Sequence, residues 1–372
     1  MFSFRITKQL QQARLTELTT PHGTIEGPFF QFVATQAAIR GQVYSEDLEK
    51  MGVQIVLANT FHLHLRPGED IVADAGGLHG FMQWDKPITT DSGGYQVFSL
   101  AEGRKLDADG VTFRSPIDGS PRRLTPESAI EIQQKLGSDL IMPLDVCTPY
   151  GAEREEITAA VEQTIRWARR CKEAQHGSQA LYGIVQGGLY SDLRQRCAQA
   201  LQEIGFFGYA IGGELREGEE SSIEEGLRAT VPYMPEEAPR YHMGAGTPED
   251  IVRAVRLGVD HFDCVLPVRN ARHGQVYRNL NREELVASLA DPERPVVPEK
   301  LYETLDLRKS RQAREHAVFS PDHPVIARPY TVGYVHHLLR AEPPSGYRLA
   351  VLHNIYFYEQ LMAAIREIIK SS

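Results

Sequence analysis

The sequence predicts an α/β fold, a (β/α)8 barrel of the TIM type with a small C-terminal helical subdomain. Eight short apolar, β-prone runs recur along the chain, most of them ending in small or polar residues. Amphipathic helical segments lie between several of these runs, the alternation from which a parallel sheet is built. No GxGxxG follows the first run, so a doubly wound open sheet, the competing architecture, lacks its nucleotide fingerprint. A length of 372 residues suits one large barrel with an appendage, given about 150 residues for an ordinary domain.

Taken in order, residues 1–28 are expected to form N-terminal strands or a hairpin that caps the barrel. The catalytic barrel is assigned to 29–300. Its eight runs are FFQFVAT (29–35), QIVLANT (54–60), PITTDSGG (87–94), DLIMPLDVC (139–147), LYGIVQGG (181–188), GYAIGGE (208–214), RYHMGAG (240–246) and HFDCVLP (261–267). Between the fifth and sixth, SDLRQRCAQALQEIG (191–205) places Leu193, Cys197, Leu201 and Ile204 on one helical face. TPEDIVRAVRLG (247–258) opens on a Thr cap with acids in its first turn and closes on Gly258. The rhythm breaks over 301–372. Arg308, Lys309, Arg311 and Arg314 cluster there, Pro321, Pro324 and Pro329 follow, and HNIYFYEQLMAAIREIIK (353–370) reads as a strong helix. That helix carries Tyr358, Leu361, Met362, Ile365 and Ile369 on one side.

Composition narrows the setting. Forty Lys and Arg against 49 Asp and Glu give 40 − 49 = −9, which excludes a uniformly basic nucleic-acid coat but not a local basic patch. No apolar run approaches the roughly 20 residues of a membrane span, and Arg5 and Lys8 have no apolar segment behind them. The four cysteines, Cys147, Cys171, Cys197 and Cys264, form no close pair and no CxxC. A cytoplasmic protein is expected.

Catalytic groups of a barrel gather at the C-terminal ends of its strands. There the sequence offers Asp91, Asp145, Gln186, Gly212 with Gly213, Gly244 with Gly246, and Asp263. A single carboxylate in such a place is more often a helix cap or a salt-bridge partner. Three at matching positions point to function, because an unpaired buried charge is costly. Paired carboxylates suit chemistry at an anomeric carbon, where one attacks C1 and the other manages the leaving group's proton. The glycines let a flat ring approach the backbone, and Gln186 with Asp145 supplies the donors and acceptors a purine edge needs. The residues alone reach a barrel enzyme acting on a glycosidic bond, on a nucleoside.

The motifs go further. DSGGYQVFSL (91–100), GIVQGG (183–188) and FDCVLPVRNARHGQ (262–275) strongly resemble tRNA-guanine transglycosylases, as do NTFHLHLRPG (59–68), IGG (211–213), MGAGTPEDIVRAV (243–255) and HNIYFYEQLM (353–362). They span nearly the whole chain in the family's order. The resemblance implies a (β/α)8 enzyme that exchanges the wobble guanine of tRNAs with a GUN anticodon for a 7-deazaguanine base, and the family's usual homodimer. It implies Asp263 as nucleophile toward the ribose C1′ and Asp91 as general acid and base. Asp145 would pair with the N1 and N2 edge of the base, and Gln186, Gly212 and Gly213 would meet its carbonyl side. Tyr95 and Met243 would sandwich the ring. Leu215 would line the loop beside the 7-substituent, and Arg269, Arg272 and His273, with Arg278, Arg282 and the 308–314 cluster, would track phosphates. The wobble base is single-stranded in its loop, so extruding it costs little.

Two departures stand out. The family holds a structural zinc with a CxCxxC motif and a later His. Here the matching positions read Asp322, Pro324 and Ala327, and His353 alone remains, so no zinc and no other cofactor is expected. A tightly held zinc would need other ligands, for which His323, His336 and His337 are candidates. Second, typical bacterial members read GGLAVGE where this chain reads GGELREGE (212–219). An ungapped match puts Glu214, Leu215 and Arg216 in place of Leu, Ala and Val, and Gly218 in place of Glu; a one-residue shift restores Glu219. The altered loop leads to the expectation that queuine is preferred over its aminomethyl precursor preQ1. The competing readings are a non-catalytic tRNA-binding partner subunit, against which all three aspartates argue, and a barrel glycosidase, which leaves the motifs unexplained.

Overall fold

The computed structural model describes residues 1–100, 103–213, 215 and 221–372. Eight parallel strands close into a barrel, one from each predicted run: Phe29–Ala34, Val56–Ala58, Ile88–Thr90, Leu140–Ile141, Ala180–Val185, Gly208–Ile211, Arg240–His242 and His261–Cys264. Closure falls between the last and first strands, where Asp263 lies opposite Gln31. Side chains alternate in and out along each strand. Inward positions Phe29, Leu57, Leu140, Met142, Tyr182, Ile184, Ala210 and Tyr241 fill the barrel. Outward positions such as Phe30, Phe32, Val56, Ile141, Val185, Ile211 and Phe262 pack under the helices.

A three-stranded antiparallel sheet, Ser3–Leu10, Ala13–Thr20 and Gly23–Gly27, closes the end opposite the site. Leu18 and Ile25 continue the barrel's apolar filling. Polar contacts reach residues just before three barrel strands. The Glu26 N–H donates to Gln54, His22 pairs with Asp139, and Arg14 forms a fully buried pair with Asp260. Arg14 also donates to the Glu236 carbonyl at 2.6 Å, and Asp260 accepts the Arg240 N–H at 2.7 Å, so neither charge is left uncompensated.

The helix over Ser191–Ile204 buries Leu193, Cys197 and Leu201 as its spacing requires, and Arg194 with them. Thr247 caps the helix Pro248–Arg256 by accepting the Asp250 N–H. The terminal helix begins at Pro343 rather than residue 353 and runs to Ser371, because prolines in a first turn need no donor there. Tyr358, Leu361, Met362, Ile365 and Ile369 are buried in one continuous core with the barrel's outer layer. A small antiparallel sheet in the third βα loop, Lys105–Asp107, Gly110–Arg114 and Pro121–Leu124, was not legible as strands in the sequence pattern.

The segment where relatives are expected to hold zinc is organised by imidazoles. His323 Nδ1 accepts the N–H groups of Val325 and Ile326, each at 3.1 Å, and Nε2 faces the Leu352 carbonyl at 3.1 Å. His353 Nε2 meets the Tyr277 carbonyl at 2.6 Å and Nδ1 the Ser320 hydroxyl at 2.9 Å. His336 Nδ1 meets the Leu307 carbonyl at 2.6 Å, and His337 is exposed. With no thiol in residues 301–372 and these imidazoles engaged, the residues do not fit a closed four-ligand zinc site. Burial lowers the pKa of His353 from 6.5 to about 4, and that of His323 in the same direction. Between those values the unfolded chain binds more protons, so stability is full above about pH 6.5 and declines as pH falls toward 4. Urea unfolding from about pH 7 to 4 should show that decline, and His353→Gln, which cannot titrate, should flatten part of it. Chelator-treated protein should keep its melting temperature and hold less than one zinc per chain; one tightly held zinc would contradict this.

Candidate active site

The same alternation that fills the barrel selects the site. Two residues beyond inward Thr89, Ile184, Ala210, Tyr241 and His261 stand Asp91, Gln186, Gly212, Met243 and Asp263, all at C-terminal strand ends. The predicted catalytic carboxylates therefore project from one rim.

Asp91 is buried and densely held. Asn59 Nδ2 donates to Oδ2 at 2.5 Å, and the Thr60 and Gly93 N–H groups donate to Oδ1 at 2.8 and 3.2 Å. The Thr60 hydroxyl donates to the Asp91 carbonyl, and Asn59 also caps the helix Thr60–Leu65 through the His62 N–H. Burial is the largest influence on its pKa, and the Asp263 charge adds to it. Against the opposing N–H bonds, these carry it from 3.8 to about 7. Near neutral pH this carboxyl can hold or release a proton.

Asp263 is tied by one oxygen. The Tyr241 hydroxyl donates to Oδ1 at 2.5 Å and the Gly244 N–H to the same atom at 3.0 Å. Burial raises its pKa, and these two donors pull it back down. Both donors favour the anion and leave Oδ2 clear of them. The Tyr241 ring stacks on His261 with centroids 4.5 Å apart, and His261 Nδ1 contacts Gln31, which in turn bonds Thr89. A bonded polar layer thus lies beneath the strand end that carries Asp263.

Asp145, buried at the end of the fourth strand's run, accepts from Gln186 Nε2 at 2.7 Å. Burial raises its pKa to about 6 against that bond. The glycines are sterically required. A Cβ on Gly212 would lie 2.6 Å from Gln186 Nε2, and Gly213 has φ +93° with Gln186 Oε1 2.9 Å from its missing Cβ. Tyr95, in the first turn of Gly94–Leu100, is about half exposed at the mouth. Met243 lies partly buried against the barrel filling. Leu215 differs from expectation in direction: its methyls pack on Gly226, within the core beneath Ser221–Arg228. Glu214 and residues 216–220, on which the base-specificity reading rests, lie outside the described residues.

The basic residues divide. Arg269, Arg272 and His273 are exposed on and just after the helix Leu266–Arg272, directly behind the Asp263 strand. Arg278 and Arg282 are instead paired with Glu303 and Glu367, so they add little free positive charge. Lys309, Arg311 and Arg314 remain exposed.

A separate donor group, His22, His79 and Asp139, lies at the opposite end of the barrel, where the N-terminal sheet docks. The two imidazoles stack nearly parallel at 3.6 Å, and each turns a nitrogen to the Asp139 carboxylate, His22 Nδ1 at 2.7 Å and His79 Nε2 at 3.3 Å. Asp139 also accepts the Ile88 N–H. This geometry serves as a clamp between sheet and barrel.

Asn59, Thr60 and Tyr241 were not assigned roles from sequence. Their signal was present: Asn59 and Thr60 end the second apolar run at the level of Asp91, and Tyr241 sits two positions before Met243.

Comparison with known proteins agrees with this arrangement. A family model described as queuine tRNA-ribosyltransferase matches residues 9–372. The queuine tRNA-ribosyltransferase of Halothermothrix orenii is 45% identical over 361 residues, covering 96% of this chain and 91% of that protein. That of Acetivibrio thermocellus is 45% identical over 372 residues, covering 98% and 93%. That of Pelotomaculum thermopropionicum is 46% identical over 373 residues, covering 99% and 94%. Matched along nearly its full length and with the motif aspartates on one rim of the barrel, the chain belongs to the queuine tRNA-ribosyltransferase family, the tRNA-guanine transglycosylases.

Proposed function

We propose that this protein is a tRNA-guanine transglycosylase, a pentosyltransferase that replaces the wobble guanine of tRNAs with a GUN anticodon by a 7-deazaguanine base. The observation that carries the reading is the unequal treatment of two neighbouring carboxylates. Asp91, raised to about 7, can hold or release a proton near neutral pH, while Asp263, though burial raises its pKa as well, receives on a single oxygen two donors that favour its anion. Such a pair divides acid and nucleophile between two residues of one type.

In the first half-reaction Asp263 Oδ2 attacks the ribose C1′, the bond from C1′ to guanine breaks, and Asp91 gives its proton to the departing base. A glycosyl ester joins the RNA to the protein. In the second, Asp91 takes a proton from the incoming base, whose ring nitrogen attacks C1′ and frees Asp263. Asp145 accepts from the N1 and N2 edge, Gln186 and the Gly213 N–H meet the carbonyl side, and Tyr95 and Met243 cover the faces. Arg269, Arg272 and His273 bind the tRNA backbone. None of these steps needs a metal or organic cofactor. We place the reaction in the cytoplasm and in a homodimer, the family's usual state.

For the incoming base we propose queuine. Its name is carried by the relatives, and the GGELREGE run lacks, in ungapped register, the Glu that would pair with the charged aminomethyl arm of preQ1. Losing a charge-assisted acceptor costs about 1.5–3 kcal/mol, roughly ten- to a hundredfold in preference. Glu214 and Arg216 supply groups able to bind the hydroxyls of queuine's cyclopentenediol.

Asp263→Asn should abolish exchange and leave no RNA–protein adduct on a denaturing gel, since an amide cannot form the ester. Asp91→Asn should lose turnover yet still bind tRNA. Near wild-type exchange by the Asp263→Asn protein would overturn the mechanism. Steady-state incorporation of queuine and preQ1 into one tRNA tests the second proposal, and a higher kcat/KM for preQ1 would overturn it.

A further inference from the structure

Arg194 is 0% exposed, and no carboxylate pairs with it among the described residues. It projects from the helix Ser191–Ile204 into the layer outside the barrel wall. Its guanidinium is spent on carbonyls: Nη1 donates to Val185 at 2.6 Å and to Gly212 at 2.9 Å, and Nε donates to Gly188 at 2.8 Å. Nη2 has no hydrogen-bond partner among the described residues, and it lies 3.5 Å from the Cβ that Gly213 lacks. Burial without a counter-ion lowers its pKa to about 10, still far above neutrality. A buried, charged arginine is an expensive way to hold a loop, since a neutral donor would satisfy the same carbonyls.

The geometry of one peptide supplies a reason. The Gly212 carbonyl that Arg194 grips and the Gly213 N–H belong to the same planar trans unit, so they point in opposite directions. A cation fixing the carbonyl on the outer side therefore turns the N–H toward the inner side, where Gln186 stands. Donation by a charged group also polarises the peptide, making its N–H a stronger donor.

We propose that Arg194 is a positioning residue for base recognition, acting through the 212–213 peptide on the base's carbonyl oxygen. This rests on the transglycosylase reading of the site. The bond it strengthens is the one that gains most when negative charge accumulates on the departing or incoming base. Arg194 touches neither base nor ribose.

The test uses full-length protein and two probes, 7-deazaguanine and 2-amino-7-deazapurine, which lacks the oxo group. Binding is measured by calorimetry for wild type, Arg194→Met and Arg194→Lys, with melting temperature and tRNA binding as controls for folding. Arg194→Met should bind 7-deazaguanine tenfold or more weakly while its affinity for the deoxo base changes less than threefold. Arg194→Lys, which keeps the charge but not the three-carbonyl grip, should show the same selective loss at smaller size, and it serves should the methionine variant not fold. Equal losses for both bases, or none, would overturn the proposal. Wild-type protein that fails to bind 7-deazaguanine would overturn the transglycosylase reading and this inference with it.

Discussion

Three carboxylates share one sheltered rim, and the upper face of this barrel is arranged around that constraint. Removing each from water disfavours its charge, and Asp263 adds its own field at Asp91. Among the described residues the structure answers without a salt bridge. Asp91 receives three N–H donors yet stays near pKa 7, so it yields by taking a proton. Asp263 receives a phenol and a backbone N–H on one oxygen, donors that favour its anion against the effect of burial and leave the other oxygen clear of them. Asp145 shares with Gln186 a bond that an incoming purine edge can replace with better ones. A cation paired directly with any of them would stabilise the anion and blunt its chemistry.

The layer below keeps that balance. His261 lies between Phe29 and Tyr241, with ring centroids 4.7 and 4.5 Å away, and burial lowers its pKa to about 3. It stays neutral at working pH, so no imidazolium forms beneath Asp263. Its stacking on Tyr241 instead fixes the ring whose hydroxyl bonds Asp263. Two buried cations are turned away from these carboxylates: Arg14 pairs with Asp260 at the far end, and Arg194, outside the wall, faces carbonyls.

Much of this was legible in the sequence because a strand has only two faces. Once eight runs are recognised, the two-residue period fixes which side chains point inward, and the run ends name the rim. The run ends name Asp91, Gln186, Gly212 and Asp263, while Met243 enters only through the family resemblance. The roles of Asn59, Thr60 and Tyr241 were harder to see, because each acts through a hydrogen bond to a residue distant in sequence. Arg194 was hidden for another reason. On a helical wheel a charged residue beside Leu193 reads as the edge of the solvent face, and only the packed barrel reveals carbonyls for it to meet. The sheet of residues 105–124 escaped because its short strands are largely exposed and carry little apolar alternation.

In the C-terminal region, neutral groups tie together the segment where the family resemblance implies zinc. A zinc ion would organise its loop by drawing several ligands to one centre. Here His323 accepts two consecutive N–H groups, those of Val325 and Ile326, while its other nitrogen reaches the terminal helix at Leu352. His353 joins that helix to the strand at Tyr277 and to Ser320 in the loop. Asn354 extends the link, accepting the Tyr277 N–H and donating to the carbonyls of Pro267 and Gln275. Pro267 belongs to the helix that carries Arg269 and Arg272, so the terminal helix braces the surface behind the nucleophile through ordinary hydrogen bonds. An imidazole bonded at both nitrogens is rigid, but it holds its place only while neutral. A thiolate–zinc centre fails in acid by losing its metal, and a network of neutral imidazoles weakens there by protonation.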